Sequence, residues 1–345
     1  FNTKGNKKVT WETNTNFNAG ADFEFFNNRL SGSVEYFYRK TSDMLYWVTV
    51  PSSQGYSGYY GNVGDMRNSG VEFAINATAI RSHNVNWDIY LNATNYSNKI
   101  IRLPEANKKK TVEGHSGYAT GNKFVGEGLS LNTFLMPKYA GVEPTTGLSM
   151  WYKDVTDEAT GIVTRETTTK YSEATDYLCS VPTPILYGGF GTSISFWNFD
   201  LSVDFTYSIG GKAYDSGYAS LMNVPGSSVG YNIHKDVLKG WTPENTNTDI
   251  PRSQANDQNV VSMSDRFLTN ASYLNFQRAQ FGYNLPKSLL SKVKINSVRF
   301  YVTADNICYW SVRKGFDPRY SFTGATSDAV CSPVRTVSGG VTITF

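Results

Sequence analysis

The stretch Val334-Arg335-Thr336-Val337-Ser338-Gly339-Gly340-Val341-Thr342-Ile343-Thr344-Phe345 alternates along its length. Val337, Gly339, Val341, Ile343 and Phe345 fall on one face, and Thr336, Ser338, Gly340, Thr342 and Thr344 on the other. A period of two is a β-strand with one apolar and one polar face. An edge strand of a soluble sheet usually carries charge to block pairing, whereas this stretch carries only Arg335, at its start. An apolar face, a small hydroxyl-rich face and a closing aromatic fit a transmembrane barrel strand, with lipid on one side and the lumen on the other. The last strand of a soluble β-sandwich has the same local pattern, so the rest of the chain has to separate the two.

Composition narrows the choice. Charged residues are 18% and the net charge is +3, too little basic excess for a nucleic-acid partner. The 23 Tyr and 20 Phe favour strands and interfacial aromatic belts, and 30 Gly supply turns. Mean hydropathy is -0.38, and no apolar run is long enough for a transmembrane helix. A barrel escapes that test, because alternation hides lipid-facing residues from window averages. Residue 1 is Phe, with no signal peptide, so the chain reads as processed or as a piece of something longer.

Nine amphipathic strands follow from the alternation. The first spans 16–26, with Phe17, Ala19, Ala21, Phe23 and Phe25 on one face; a turn at Asn27-Asn28-Arg29 leads to the second, 30–46. An aromatic loop at 47–67 precedes the third, carrying Val71, Phe73, Ile75 and Ala77, and the fourth carries Trp87, Ile89, Leu91 and Ala93. A long insertion at about 98–186 is expected to hold its own hairpin at 132–152. Strands five (187–196) and six (199–209) flank Trp197-Asn198. In strand six, Phe199, Leu201, Val203, Phe205 and Tyr207 oppose Asp200, Ser202, Asp204, Thr206 and Ser208. After the loop 210–268, strand seven (270–283) slips phase, which predicts a bulge near Gln277-Arg278. The link 284–294 leads to strand eight, with Val298, Phe300 and Val302 on its apolar face, and the loop 306–333 leads to strand nine.

Short links join strands 1–2, 3–4, 5–6 and 7–8, and long ones join 2–3, 4–5, 6–7 and 8–9. A soluble sandwich has no reason to sort loop length by parity. An outer-membrane barrel does, with short periplasmic turns and long extracellular loops. The expected fold is therefore all-β, an antiparallel transmembrane barrel segment whose last strand ends on the short-turn side. Nine is odd, while single-chain bacterial barrels have even counts, and open edges are not tolerated in lipid. Further strands are therefore expected N-terminal to these.

At this point the residues resemble a known family, the SusC/RagA-type TonB-dependent outer-membrane transporters. The likeness rests on Phe25 through Asp43 (FFNNRLSGSVEYFYRKTSD), on Asn62 through Glu72 (NVGDMRNSGVE), on Lys138 through Pro144 with Thr146-Gly147, and on Tyr187-Gly188-Gly189-Phe190 with Asn198-Phe199-Asp200-Leu201. Ser272-Tyr273-Leu274, Phe281 through Pro286 and Lys314 through Pro318 continue it in the family's order. The resemblance implies the last nine strands of a barrel of about 22, with roughly 13 upstream and a plugged lumen. The plug and the TonB-binding segment are absent from this chain. It also implies active import of a large nutrient, an oligosaccharide or peptide, with a SusD-like surface lipoprotein over the loops and TonB acting through the missing N-terminal region. No cofactor and no covalent chemistry are called for. Alternatives are a passive porin or adhesin barrel and a secreted β-sandwich glycan-binding module or hydrolase.

No catalytic constellation stands out. His83, His115 and His234 lie in separate links or loops, without metal-site spacing. Asp154, Asp157 and Glu158 lack the register of a calcium loop. Asp200 and Asp204, with Arg299 and Asp305, are candidate lumen-lining residues, because every second residue of such a strand must face water. Tyr56, Tyr59 and Tyr60, with Tyr118, Trp151 and Trp241, are candidate loop aromatics that would stack on a substrate or touch a lid protein, or else pack within belt and loops. Cys308 and Cys331 bracket the last long loop, and a disulfide between them is a hypothesis.

Overall fold

The computed structural model describes residues 4–224, 230, 232–255, 257–290, 295–320, 322–326 and 331–345. Parts of the expected loops 210–268 and 306–333, and of the link 284–294, fall outside the described residues. Nine strands form one antiparallel sheet in strict chain order. They are β1 (Thr13–Phe25), β2 (Leu30–Ser42), β3 (Asp65–Arg81), β4 (Val85–Arg102), β5 (Leu186–Phe196), β6 (Phe199–Ile209), β7 (Tyr273–Asn284), β8 (Ser297–Trp310) and β9 (Thr336–Thr344). Short connections at 26–29, 82–84, 197–198 and 285–296 alternate with long ones at 43–64, 103–185, 210–272 and 311–335. Among the described residues β1 pairs only with β2 and β9 only with β8, so the sheet is open at both edges.

Register keeps each strand's apolar set on one face. Phe73 lies opposite Val34 and Ala93, and the rows Leu91–Phe190–Phe205–Phe276 and Leu201–Phe281–Val302–Gly339 cross neighbouring strands in line. Stacking supports these rows: Phe190 and Phe205 have ring centroids 5.0 Å apart, and Phe205 and Phe276 4.7 Å. The apolar face lies open, with Phe17, Val71, Phe281, Val302 and Val341 all exposed. The eleven residues of β6, at about 3.3 Å each and a tilt near 40°, rise about 28 Å, close to the ~25 Å apolar band of an outer-membrane barrel.

The expected bulge is present. Against β6, adjacent Asp204 and Phe205 pair with Arg278 and Phe276, so Gln277 is the extra residue; against β8 the register also shifts there, with the additional residue on β8, between Asp305 and Cys308. The turn between β1 and β2 holds Phe26, Asn27 and Asn28 at positive φ, a conformation Asn tolerates better than most residues.

Four expectations need correction. The second strand stops at Ser42 rather than 46, where Asp43 turns to positive φ. The expected aromatic loop 47–67 is itself a hairpin, Leu45–Thr49 against Gly58–Asn62, and β3 already begins at Asp65. The expected hairpin 132–152 is split: Thr133–Pro137 joins a five-stranded loop sheet, and Tyr139–Val142 pairs with Ser149–Thr156 in a separate three-stranded one. Cys308 and Cys331 are not joined by a disulfide; Cys308 sits opposite Phe276 on the apolar side of the wall.

Candidate functional site

On the polar face the wall is cross-braced. Arg299 on β8 reaches past β7 to Asp200 on β6, with Nη2 2.5 Å and Nε 3.2 Å from the two carboxylate oxygens. It crosses at Gly282, where a Cβ would fall 2.5 Å from both the guanidinium and the carboxylate. Tyr90 on β4 repeats the device: its hydroxyl donates to Asp204 on β6 at 2.7 Å, crossing β5 at Gly191, where a Cβ would lie 2.6 Å from the ring. A glycine in the middle strand thus lets a polar group brace a strand two places away. Arg278 Nε donates to Asp305 at 2.8 Å. Asp200, Asp204, Arg299 and Asp305 therefore share one face; Asp200 with Arg299 and Asp305 with Arg278 are ion pairs whose opposite charges largely cancel at a distance, while Asp204 is held by the neutral Tyr90 hydroxyl.

The six expected loop aromatics do not converge. Tyr56, Tyr59 and Tyr60 belong to the hairpin over the first long connection. The Tyr56 hydroxyl donates to Gln54, and Tyr60, 58% exposed, meets Trp47 edge-on at 5.1 Å. Tyr118 packs on Ile100, Leu103 and Val125 in a loop core, and burial raises its pKa. Trp151 is 1% exposed, wedged between Tyr139 and Tyr171, and so has no surface to offer a ligand. Trp241 covers the 143–147 turn and donates from Nε1 to the Pro144 carbonyl at 3.0 Å.

Three tyrosines that the sequence reading did not single out do converge. Tyr96 of β4, Tyr187 of β5 and Tyr273 of β7, with Pro182, Pro184 and Phe322 from the loops, line a hollow of about 470 Å³ under the long connections. Arg319 forms part of its wall but is engaged, bonding Asp317 and Asn275 and lying 4.4 Å from the Tyr309 ring centroid. The hollow thus offers aromatic faces and prolines with its charge already neutralised. Tyr187 and Tyr273 lie within the motif segments quoted above; what brings them together is the register, which alternation alone does not give.

The loops above are tied down by buried polar contacts. Lys123 Nζ donates to the carbonyls of Asn132 and Thr323, at 3.2 and 2.8 Å, over the Phe134 ring. Burial pushes its pKa down to about 7, while the carbonyls and ring favour the charged form. Burial also pushes the Cys179 thiol up to about 12. Asp154 accepts from Arg165 and from the Tyr177 hydroxyl, and Asp157 caps a turn through the amides of Ala159 and Thr160. The His115 ring bonds the Glu127 carbonyl, and His234 pairs with Asp236. These groups hold loops rather than assemble a reacting centre.

The sequence matches the family described as TonB dependent receptor-like, beta-barrel, over residues 1–307. TonB-dependent receptor P3 of Formosa agariphila is 29% identical over 92% of this chain and 31% of its own length. TonB-dependent receptor SusC of Bacteroides thetaiotaomicron is 27% identical over 91% of this chain and 30% of its own. Among solved structures, that of the RagAB peptide transporter superposes with a TM-score of 0.82 at 28% identity, covering 99% of this chain and 36% of the other. The chain thus spans about a third of the length of the relatives it matches. An unbroken antiparallel meander, faces split into apolar and polar, and connections sorted by length agree with that match. The chain belongs to the TonB-dependent receptor-like β-barrel family, whose members lie in the outer membrane.

Proposed function

We propose that this chain is the C-terminal portion of the barrel wall of an active outer-membrane transporter for a glycan or peptide. The observation that carries the reading is the sheet itself, nine strands in chain order with loop length sorted by side and both edges left open. Lipid does not tolerate such edges, so β1 and β9 pair with strands outside this chain. In this reading the polar face carrying Asp200, Asp204, Arg299 and Asp305 lines the lumen, and the long connections face the cell exterior. The hollow at Tyr96, Tyr187 and Tyr273 takes substrate at the mouth. Tyr56, Tyr59, Tyr60 and Trp241, on the outer loops, are the candidates for contact with a SusD-like lipoprotein. TonB would act through the region upstream. The chain's own part is passive, with no covalent step.

Uptake by the whole transporter and its partner tests this. The expected result is TonB-dependent uptake of one substrate class, either labelled oligosaccharides or labelled peptides, that falls when Tyr187 and Tyr273 are both changed to Ala. Uptake that continues without TonB would instead identify a passive pore.

A further inference from the structure

The wall carries a second concavity, on its apolar side. A trough of about 640 Å³ lies at the long-connection rim, bounded by Phe190, Tyr207, Leu274, Trp310 and Val312. Its origin is in the register. Tyr207, Leu274 and Trp310 are direct cross-strand neighbours on β6, β7 and β8. Tyr207 does not lean on Leu274: its hydroxyl donates to the Asn92 carbonyl on β4 at 3.0 Å, which draws the ring across β5 and away from β7. Leu274 is left as a floor between two aromatic walls, and Trp310 stands 53% exposed on the far side.

The trough also has a direction. Two residues further along β6 and β7 it meets Phe205 and Phe276, which stack in line with Phe190 and belong to the apolar band. At its other end the lining turns polar, with Asn270, Ser272 and Ser311; Ser272 donates to Asn270 and accepts from the Gly210 amide. Among the described residues no charged side chain lines it. An apolar slot continuous with the membrane-facing surface and closing on neutral hydroxyl and amide groups has the polarity order of a lipid, chain first and ester region last.

We propose that this trough is a lipid site that seats one acyl chain of a membrane lipid and holds it more tightly than the rest of the barrel's surface does. A second copy of the barrel fits less well, since the trough is recessed and its polarity changes along the membrane normal.

Native mass spectrometry tests this on the whole transporter with its partner, stripped of lipid in detergent and then offered dipalmitoyl phosphatidylethanolamine. Wild type should retain one lipid after detergent release. Leu274→Trp, which fills the floor, should lower occupancy about tenfold at fixed lipid concentration. Val71→Trp, a bulky change on the apolar face of β3, should leave it unchanged. Should Leu274→Trp fail to assemble, Trp310→Ala removes a wall without adding bulk and should also lower occupancy. The proposal is overturned if wild type retains no lipid, if Leu274→Trp or Trp310→Ala retains as much as wild type, or if Val71→Trp loses as much as Leu274→Trp. Particles holding two barrels that Leu274→Trp separates would give the trough to a second copy and also overturn it.

Discussion

The wall and the loops solve the same burial problem in opposite ways. In the wall, large apolar side chains are the exposed ones: Phe17, Val71, Phe190, Phe281, Phe300 and Ile343 all lie open on one face. In the loops they are buried in small dry clusters. Val112, Phe124 and Leu135 form one, and Ala219, Met222, Val237 and Phe267 another. The hydrophobic effect rewards removal of apolar area from water, whatever replaces the water. The wall leaves that to lipid, and the loops have to build their own cores. The two regions should therefore respond differently to the same kind of change.

The largest effect is expected in the loops. Phe134 is 0% exposed, and Phe134→Ala should cost the loop unit about 3–5 kcal/mol. Limited proteolysis should then cut within 103–185 while heat-modifiable migration of the barrel persists; equal loss of both would mean that loops and wall are one cooperative unit. Next comes charge in the membrane. Val203→Arg on the apolar face of β6 should cost about 2–4 kcal/mol if Val203 lies near the bilayer midplane, and Ser202→Arg on the polar face far less. Refolding into lipid vesicles across a urea series measures both. A smaller loss is expected for Arg299→Ala. Arg299 and Asp200 are each about 30% exposed, so solvent discounts the pair to about 1 kcal/mol, and the same titration should show it.

The last effect is one of pH. The pKa of Lys123 in the fold is about 7, below its unfolded value near 10.4. Folding then releases a proton, and the penalty is full below pH 7 and fades as pH climbs toward 10. The loop unit's urea midpoint should rise between pH 7 and 9 in wild type more than in Lys123→Met. Equal slopes would show that the two carbonyls and the Phe134 ring hold the ammonium charged.

Alternation predicted the wall and not the loops, for a physical reason. β6 was legible to the residue, and the bulge at Gln277 against β6 was visible as a slip in parity, because lipid on one side and water on the other force a period of two. Where β3 and β4 run past the membrane, water bathes both faces. Asp65, Arg67, Asn95, Ser97 and Lys99 carry no alternation there, so the pattern marks both strands as shorter than they are. Loop strands such as Thr133–Pro137 are buried throughout, so their pattern is a plain apolar run. The polar residues of β6 and β8 were legible as a face, but their braces were not. Those depend on which glycine lies opposite which long side chain, as at Gly191 and Gly282. Trp151 shows the converse error: an aromatic in a long connection is not thereby on a surface.

The central claim is that one face of this sheet meets lipid and the other an aqueous hollow. A single-cysteine scan along β6 in the whole transporter, in membranes, tests it most directly. At each position from Phe199 to Ile209, reaction with a water-soluble maleimide is compared with reaction with a lipid-dissolved one. The account predicts strict alternation, with lipid-phase labelling at positions 201, 203, 205 and 207 and aqueous labelling at 200, 202, 204 and 206. Uniform aqueous labelling, or alternation in the opposite phase, would contradict it.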